Sequence, residues 1–237
     1  MSICLFGSMI KLFLSGKGDP HMRVLFLGDS ITDCGHCFTE DNLGCGYVKY
    51  LADLSSGYML SGGSHPTMIN SGTDALTFPR MLEKWQRSCQ DIPCDLVVLQ
   101  GGINDVGIIM NTASDSCDDV LSEHLWHRSA DAFAKLLNAI HTSGIRNIFV
   151  LEPFLFPIPS YRMLWLPTLT RLRHVMADGV QEFSSISPNV VRLLPVQPLL
   201  DKAAAQTGIA SITEDGIHLT QTGHRLLAEF LFHTIFP

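Results

Sequence analysis

The stretch Arg23–Gly28, RVLFLG, followed at once by Asp29 and Ser30, decides the fold of this chain. A short apolar run that ends in glycine is typical of a strand buried on both faces of a parallel sheet. Ser30 then follows at the turn where the strand meets a helix, whose first backbone N–H groups point outward. Ser30 is therefore a candidate nucleophile, although these residues alone equally fit Asp29 or Ser30 acting only as a helix cap.

Similar short apolar runs recur along the chain, and segments with helical periodicity separate them. In the longest such segment, apolar residues recur at three- and four-residue spacing from Ala130 to Ile140, and Gly144 follows as a C-cap. Crossovers of this length require parallel strands, so we predict a three-layer α/β/α sandwich with a five-stranded parallel sheet. The predicted strands are 23–28, 67–70, 95–100, 146–151 and 190–194, and the predicted helices are 46–54, 77–89, 122–143, 166–183 and 220–236.

Composition limits the partners that this chain can have. Of its 237 residues 46% are apolar, which is enough for one sizeable core. Acidic residues outnumber basic ones by 23 to 16, and the net charge of −7 disfavours nucleic acid and anionic lipid surfaces. No apolar run reaches the roughly 18–20 residues that span a bilayer. We expect one domain over residues 22–237, preceded by an N-terminal extension or non-native segment at 1–21.

Cysteine usage and the N-terminal segment bear on the compartment. Seven cysteines scattered through a chain of this size do not resemble the disulfide framework of a small secreted domain. Residues 3–14 are largely apolar but interrupted by Lys11, and they lack the basic start and the small-residue cleavage site of a signal peptide. We expect a reducing, cytoplasmic location, with secretion as the alternative.

A second group of reactive residues lies near the C-terminus, where 213–224 reads TEDGIHLTQTGH. A serine hydroxyl becomes a nucleophile at neutral pH when an imidazole accepts its proton and a carboxylate orients that imidazole. His218 and Asp215, three residues apart, are candidates for this base and its orienting acid. Taken alone, the segment also fits a simple turn with a surface histidine.

Two further segments follow predicted strands and carry N–H donors. Asn70-Ser71-Gly72 follows the second strand, and the run from Gly101 to Asp105 follows the third. Acyl transfer develops negative charge on a carbonyl oxygen, which preorganised N–H donors stabilise. The predicted donors are the backbone N–H groups of Ser30 and Gly72 and the side-chain amide of Asn104. Taken alone, Gly72 also fits a turn glycine and Asn104 a loop cap.

Four blocks in this order, GDSITD, NSG, GGIND and DGIH, carry a resemblance to a known family. Together they resemble the SGNH (GDSL-type) hydrolases over residues 22–237, and the four letters of that name fall on Ser30, Gly72, Asn104 and His218. The resemblance implies a flavodoxin-like sandwich and an esterase, thioesterase or lipase that needs no metal and no cofactor.

Longer strings, GDSITDCG, LGCGYVKYL, GGINDV and LEPF, are similar to bacterial carbohydrate esterases, in particular acetylxylan esterase-like members. This similarity implies a small-molecule or oligosaccharide substrate that carries short acyl esters, with acetyl preferred. A lipid ester or thioester is the alternative. Two residues depart from the family pattern: Ala75 stands where a second glycine is frequent, and Leu219 follows the histidine where proline is common. Both departures bear on the shape of the pocket.

Thiol chemistry is the main competing hypothesis. Cys34-Gly35-His36-Cys37 matches the CxxC pattern of thiol–disulfide redox proteins. The tetrapeptide lies within the segment that the GDSITD block already explains, and no tryptophan precedes it. Metal binding by these cysteines with Cys45 and His36 lacks a second paired half.

A second candidate metal site is weaker. His124 and His127 lie near Asp118 and Asp119. Imidazoles with this spacing at a polar helix start are more often solvated than metal-bound, so no metal site is predicted.

The apolar segment 154–167, FLFPIPSYRMLWLP, follows the fourth strand and should lie over the same edge of the sheet as Ser30. It fits either a wall of the substrate pocket or the interface of a homo-oligomer. Our predicted pocket residues are Asp29, Asp105, Phe154 and Trp165.

Overall fold

A computed structural model describes residues 22–60, 63–116, 119–188 and 190–236, and the predicted N-terminal extension lies outside them. Five strands form one parallel sheet with the order β2-β1-β3-β4-β5. This confirms the predicted five-stranded parallel sheet. The strands are β1 (Arg23–Gly28), β2 (Thr67–Gly72), β3 (Leu96–Gln100), β4 (Ile148–Leu151) and β5 (Val191–Leu194).

Helices connect the strands, and the part of the chain that the structure describes contains eight α-helices. All five predicted helices are confirmed within a few residues at their ends, except that the second, 77–89, ends in a π-helical turn, Trp85–Cys89. Three further helices, Ser30–Asp33, Ile103–Ser116 and Gln197–Thr207, have no predicted range, although a helix start was expected at the first of them. The eight helices are α1 (Ser30–Asp33), α2 (Tyr47–Ser55), α3 (Phe78–Lys84), α4 (Ile103–Ser116), α5 (Asp119–Thr142), α6 (Leu166–Ile186), α7 (Gln197–Thr207) and α8 (Gln221–Ile235).

The alternation of side chains along each strand divides the core into two halves. Leu25 and Leu27 of β1 face α3, α5 and α6, whereas Val24 and Phe26 face α2 and α8. All four side chains are fully buried, as expected for a central strand covered on both faces. The result is the three-layer α/β/α sandwich that the alternation of elements predicts.

The carboxyl ends of the strands place the reactive segments at one edge of the sheet. The chain leaves β1 toward β2 on one side, and β3 pairs with the other side of β1, so the strand order reverses at β1. Ligands in open parallel sheets bind beyond the strands at such a point. Ser30 follows β1 and Asn104 follows the end of β3 by four residues, so both lie at this position. Among the described residues, no helix combines the length and apolarity needed to cross a membrane.

Candidate active site

The turn after β1 is held by the buried carboxylate of Asp29. Its Oδ1 accepts a hydrogen bond from the Ile31 backbone N–H at 3.0 Å, and Gln100 Nε2 donates to Oδ2 at 3.3 Å. Burial raises the pKa of Asp29 to about 7, although the bonds from Ile31 and Gln100 oppose that shift. Asp29 is therefore the helix cap, which leaves the Ser30 hydroxyl free to face another group.

That group is His218, which lies 188 residues further along the chain. Ser30 Oγ is 3.0 Å from His218 Nε2, and His218 Nδ1 is 2.9 Å from Asp215 Oδ2. When Nδ1–H donates to the carboxylate, Nε2 is the ring nitrogen that can accept the serine proton. The structure thus brings the three predicted triad residues into one continuous hydrogen-bonded chain.

Asp215 is held in its ionised form by the turn that it begins. Partial burial raises the pKa of this carboxylate, but donation to Oδ1 from the backbone N–H groups of His218 (2.8 Å) and Ile217 (2.9 Å) outweighs it. The imidazole lowers the pKa further, to about 2. Asp215 therefore carries its negative charge throughout the neutral range.

The turn that carries Asp215 and His218 closes on itself and packs against the segment after β4. Gly216 has φ +91°, and a Cβ at this position would lie 2.3 Å from Ile158 O and 2.5 Å from Phe156 O. Thr213 Oγ1 accepts from Gly216 N–H at 2.9 Å and donates to His218 O at 2.7 Å. Only glycine fits this position, because both the backbone angle and the neighbouring carbonyl groups exclude a side chain.

Arg162 contacts the same turn from outside, and no motif in the sequence marks this residue. Its guanidinium donates to the Asp215 carbonyl oxygen, and Nη1 lies 3.7 Å from Asp215 Oδ1. It also lies 5.6 Å from the centre of the Trp165 ring. The one feature of the sequence that could have pointed to Arg162 is that it is the only basic residue in the apolar run 154–167.

A pocket of about 520 Å³ opens beside Ser30 and His218. Its wall combines apolar side chains with two exposed carboxylates, those of Asp74 and Glu214. The lining residues are Ser30, Ile31, Cys34, Asp74, Ala75, Asn104, Glu214, His218, Leu219 and His224.

Two of the three predicted oxyanion donors lie at this pocket. Ser30 is the first residue of α1, where a backbone N–H has no partner within its own helix. Asn104 lines the pocket, and its Nδ2 donates to Leu76 O at 3.1 Å and, over a longer distance of 3.5 Å, to Asp29 Oδ2.

Gly72 does not fit the third donor role, and this prediction is corrected. Its N–H donates to Asn70 Oδ1 at 2.9 Å, and it lies inside β2 and outside the pocket lining. Its missing side chain serves packing, because a Cβ there would lie 2.2 Å from the Asp33 nitrogen. Ala75 lines the pocket instead, with φ +56°, and its N–H has no hydrogen-bond partner among the described residues. The geometry therefore favours the backbone N–H of Ala75, rather than that of Gly72, as the third oxyanion donor.

The four predicted pocket residues all lie elsewhere. Asp29 is the buried cap described above. Asp105 is also buried, and its carboxylate accepts from Phe78 N–H at 3.1 Å; burial raises its pKa to about 6. Phe154 is a core residue that packs beneath the sheet edge, and Trp165 covers Gly107 of α4. The side chains of Asp29, Asp105 and Phe154 are buried, whereas Trp165 is partly exposed, and none of the four lines the pocket beside Ser30.

The CGHC motif does not bring its own two cysteines together, and the candidate metal ligands do not form a centre within the described residues. Cys34 Sγ lies 3.1 Å from Cys45 Sγ, whereas Cys37 Sγ contacts His36 Nε2 at 3.4 Å. Within the described ranges, no three His, Cys, Asp or Glu side chains are grouped as metal ligands. His127 instead approaches Glu123 at 3.4 Å on an exposed helix face. Of the weaker candidate cluster, the side chains of Asp118 and Asp119 lie outside the described residues.

His224 lines the pocket and joins two helices. Its Nδ1 accepts from the Tyr47 backbone N–H at 3.2 Å, which anchors the start of α2 to α8. Burial lowers its pKa to about 4, and the nearby His218 adds to this shift. The ring is therefore neutral at physiological pH.

Comparison with known proteins agrees with this geometry. Residues 26–226 match the model of the GDSL-like lipase/acylhydrolase family. The chain is 34% identical over 229 residues to an acetylxylan esterase from Geobacillus stearothermophilus, covering 93% of this chain and 95% of that protein.

Solved structures share the fold at lower identity. An acetylxylan esterase from Geobacillus stearothermophilus is 21% identical with a TM-score of 0.72, covering 91% of this chain and 94% of that one. An alpha/beta hydrolase enzyme from the metagenome of Lake Arreo is 19% identical with a TM-score of 0.70, covering 90% and 94%. The sandwich described above is thus the fold of these hydrolases.

Proposed function

Because the chain belongs to the GDSL-like lipase/acylhydrolase family, and is thereby a carboxylic ester hydrolase, we propose that it cleaves short acyl esters of carbohydrates, acetyl esters above all. One observation carries this proposal: the unbroken hydrogen-bonded chain from Ser30 through His218 to Asp215 at the mouth of a pocket. A second chain of this kind joins Cys37 Sγ to His36 Nε2 at 3.4 Å and His36 Nδ1 to Asp33 Oδ1, but none of these three residues lines the pocket.

The geometry supports a two-step reaction through an acyl-enzyme. His218 Nε2 accepts the proton of Ser30 as Oγ attacks the ester carbonyl carbon, and Asp215 stabilises the resulting imidazolium. The N–H groups of Ser30 and Ala75 and the Asn104 amide donate to the oxygen that becomes negative. His218 then protonates the departing alcohol, and it later activates the water that releases the acid and restores Ser30.

The pocket favours an uncharged, hydroxyl-rich alcohol. The carboxylates of Asp74 and Glu214 can accept hydrogen bonds from sugar hydroxyls, and they repel a phosphate or another anion. The net charge of −7 adds to this repulsion. An acetylated sugar therefore fits better than a phospholipid or an acyl-coenzyme A thioester. The similarity to an acetylxylan esterase, at 34% identity, supports the same choice.

The acyl side of the pocket favours a short chain. Phe154, Leu155 and Phe156, which the sequence offered as an apolar wall, are at most 3% exposed and belong to the core. A long acyl chain needs an extended apolar surface, and here the lining offers only Ile31, Ala75 and Leu219 next to the reactive groups. The lipase alternative is therefore less well supported than acetyl hydrolysis.

Replacement of the nucleophile tests the mechanism. We expect Ser30→Ala to lower turnover of p-nitrophenyl acetate by at least about a thousandfold and to abolish labelling by a fluorophosphonate, with the circular dichroism spectrum unchanged. Ser88→Ala is the matched control, because its hydroxyl donates to Lys84 O on an exposed helix face and Ser88 does not line the pocket beside Ser30. Retention of more than a tenth of the activity by Ser30→Ala would contradict the role of this hydroxyl.

A substrate panel tests the specificity separately. Acetylated xylo-oligosaccharides, p-nitrophenyl esters from acetate to octanoate, and acetyl-coenzyme A are compared by kcat/KM. We expect the acetylated sugars to be preferred and acetyl-coenzyme A to be poor. Asp74→Asn combined with Glu214→Gln should reduce the difference in kcat/KM between the acetylated sugars and acetyl-coenzyme A. Preference of the parent protein for octanoate or for the thioester would refute the carbohydrate proposal while leaving the triad in place.

A further inference from the structure

Two thiols lie side by side at the rim of the active-site pocket. Cys34 Sγ and Cys45 Sγ are 3.1 Å apart, and Cys34 is itself a lining residue. We propose that Cys34 and Cys45 are a redox pair that forms a reversible disulfide when the protein meets a peroxide. This inference is independent of the hydrolytic function, and it assigns the first cysteine of the CGHC motif a partner outside that motif.

A backbone hydrogen bond joins the two cysteines. Cys45 N–H donates to Cys34 O at 3.0 Å, which keeps the two residues adjacent. Gly46 permits this approach, because a Cβ there would lie 2.8 Å from Cys34 Cβ and 3.0 Å from its Sγ. A disulfide bond is about 2.05 Å long, so the sulfurs need to approach by only about 1 Å. Rotation of the two side chains can supply most of this movement.

Exposure decides which thiol reacts first. Cys45 is exposed to solvent, whereas Cys34 is half-buried. Burial raises the pKa of Cys34 to about 12, and the neighbouring Cys45 thiol adds to this shift. Cys45 is therefore the thiol that meets the oxidant, and Cys34 is the thiol that resolves the product.

The electron balance closes with hydrogen peroxide as the oxidant. Attack of the Cys45 sulfur breaks the O–O bond and yields a sulfenic acid and one water. The Cys34 sulfur then attacks the Cys45 sulfur, forming the S–S bond and breaking the S–O bond, and the hydroxide leaves as a second water with the Cys34 proton. The two thiols lose two electrons in total, and the peroxide gains them.

Cys37 is the obvious rival partner, and the structure disfavours it. Cys37 lies in the short helical turn His36–Phe38, where its sulfur contacts the His36 ring. In the described part of the chain, no contact joins it to Cys34 or Cys45.

Peptide mapping tests the pairing directly. The full-length protein is treated with a small excess of hydrogen peroxide, its free thiols are alkylated, and it is digested with trypsin and a glutamate-specific protease. Cleavage after Arg23, Glu40 and Lys49 separates the two cysteines onto peptides 24–40 and 41–49. We expect these peptides to be joined by a link that dithiothreitol removes, and we expect Cys37→Ser to retain the link and Cys45→Ser to lose it.

The melting temperature provides a second readout. The link closes a loop of 12 residues, from position 34 to position 45, and should raise the melting temperature of the parent protein by about 5–10 °C. Cys45→Ser should show no such rise after peroxide. Loss of the link in Cys37→Ser, a dimer joined through Cys45, or over-oxidised Cys45 beside alkylated Cys34 would each overturn the proposal.

Discussion

The turn that carries both Asp215 and His218 depends on Gly216, so Gly216→Ala should damage folding and catalysis together. A non-glycine residue at φ +91° costs about 1–3 kcal/mol of stability. The new methyl group would also lie 2.3 and 2.5 Å from two backbone carbonyl oxygens, whereas real Cβ contacts stay above 3.0 Å. The turn must therefore shift by about 0.7 Å. A misplacement of about 1 Å lowers rates by about a hundredfold, and we expect a comparable fall in kcat/KM.

Gly208→Ala is the matched control for this substitution. Gly208 has φ +88°, but nothing lies within 4 Å of its Cβ position, and it ends α7 away from the pocket. Gly208→Ala should be destabilised only by the cost of the backbone angle, and it should keep its activity. Urea unfolding and kinetics on p-nitrophenyl acetate measure both quantities. If the two variants lose the same stability and both stay active, the packing of Gly216 against the segment after β4 does not position the triad.

Three further predictions concern neighbouring residues. Asp215→Asn should lower kcat by about 10³- to 10⁴-fold with the fold unchanged, since a neutral amide neither orients nor stabilises the imidazolium; near-normal kcat would exclude the proposed role. Burial lowers the pKa of His224 to about 4, below its value of about 6.5 in the unfolded chain. The neutral ring therefore contributes about 3 kcal/mol to the free energy of unfolding above pH 6.5, and this contribution is lost as the pH falls toward 4. Urea titrations from pH 7.5 to 4.5 should therefore show a steeper fall for the parent than for His224→Gln, and equal slopes would refute this. Ala75→Gly should raise the unfolding free energy by about 0.5–1 kcal/mol with activity within about twofold, because glycine adopts φ +56° without strain; an unchanged urea midpoint would argue against strain there.

Much of the fold follows from patterns that are local in the chain. β1 is the clearest case, since an unbroken apolar run ending in glycine fits only a strand covered on both faces. The helix α4 was missed because the run from Gly101 to Asp105 was interpreted as a turn after the third strand. Gly107 lies inside this helix, where the Trp165 ring occupies the space that a side chain would need. Such a tertiary contact leaves no trace in the local sequence.

The candidate site was predictable wherever a motif places a reactive side chain. Ser30, His218 and Asp215 each follow a recognisable turn, and the structure brings them together. The third oxyanion donor was assigned to Gly72 because this residue follows the second strand and matches the glycine of the family blocks. Ala75 adopts a positive φ without being glycine, and no propensity rule identifies such a residue in advance. Arg162 is similar, because its contact with the Asp215 carbonyl spans 53 residues.

The acid and the base occupy one short turn, and the nucleophile comes from the opposite end of the chain. If the C-terminal loop opened, Asp215 and His218 would move together, and their hydrogen bond would keep the imidazole in the correct tautomer. Only the gap between that couple and the serine would widen. An open loop would therefore stop turnover while the acid–base pair stays intact, and closure of the loop would restore activity.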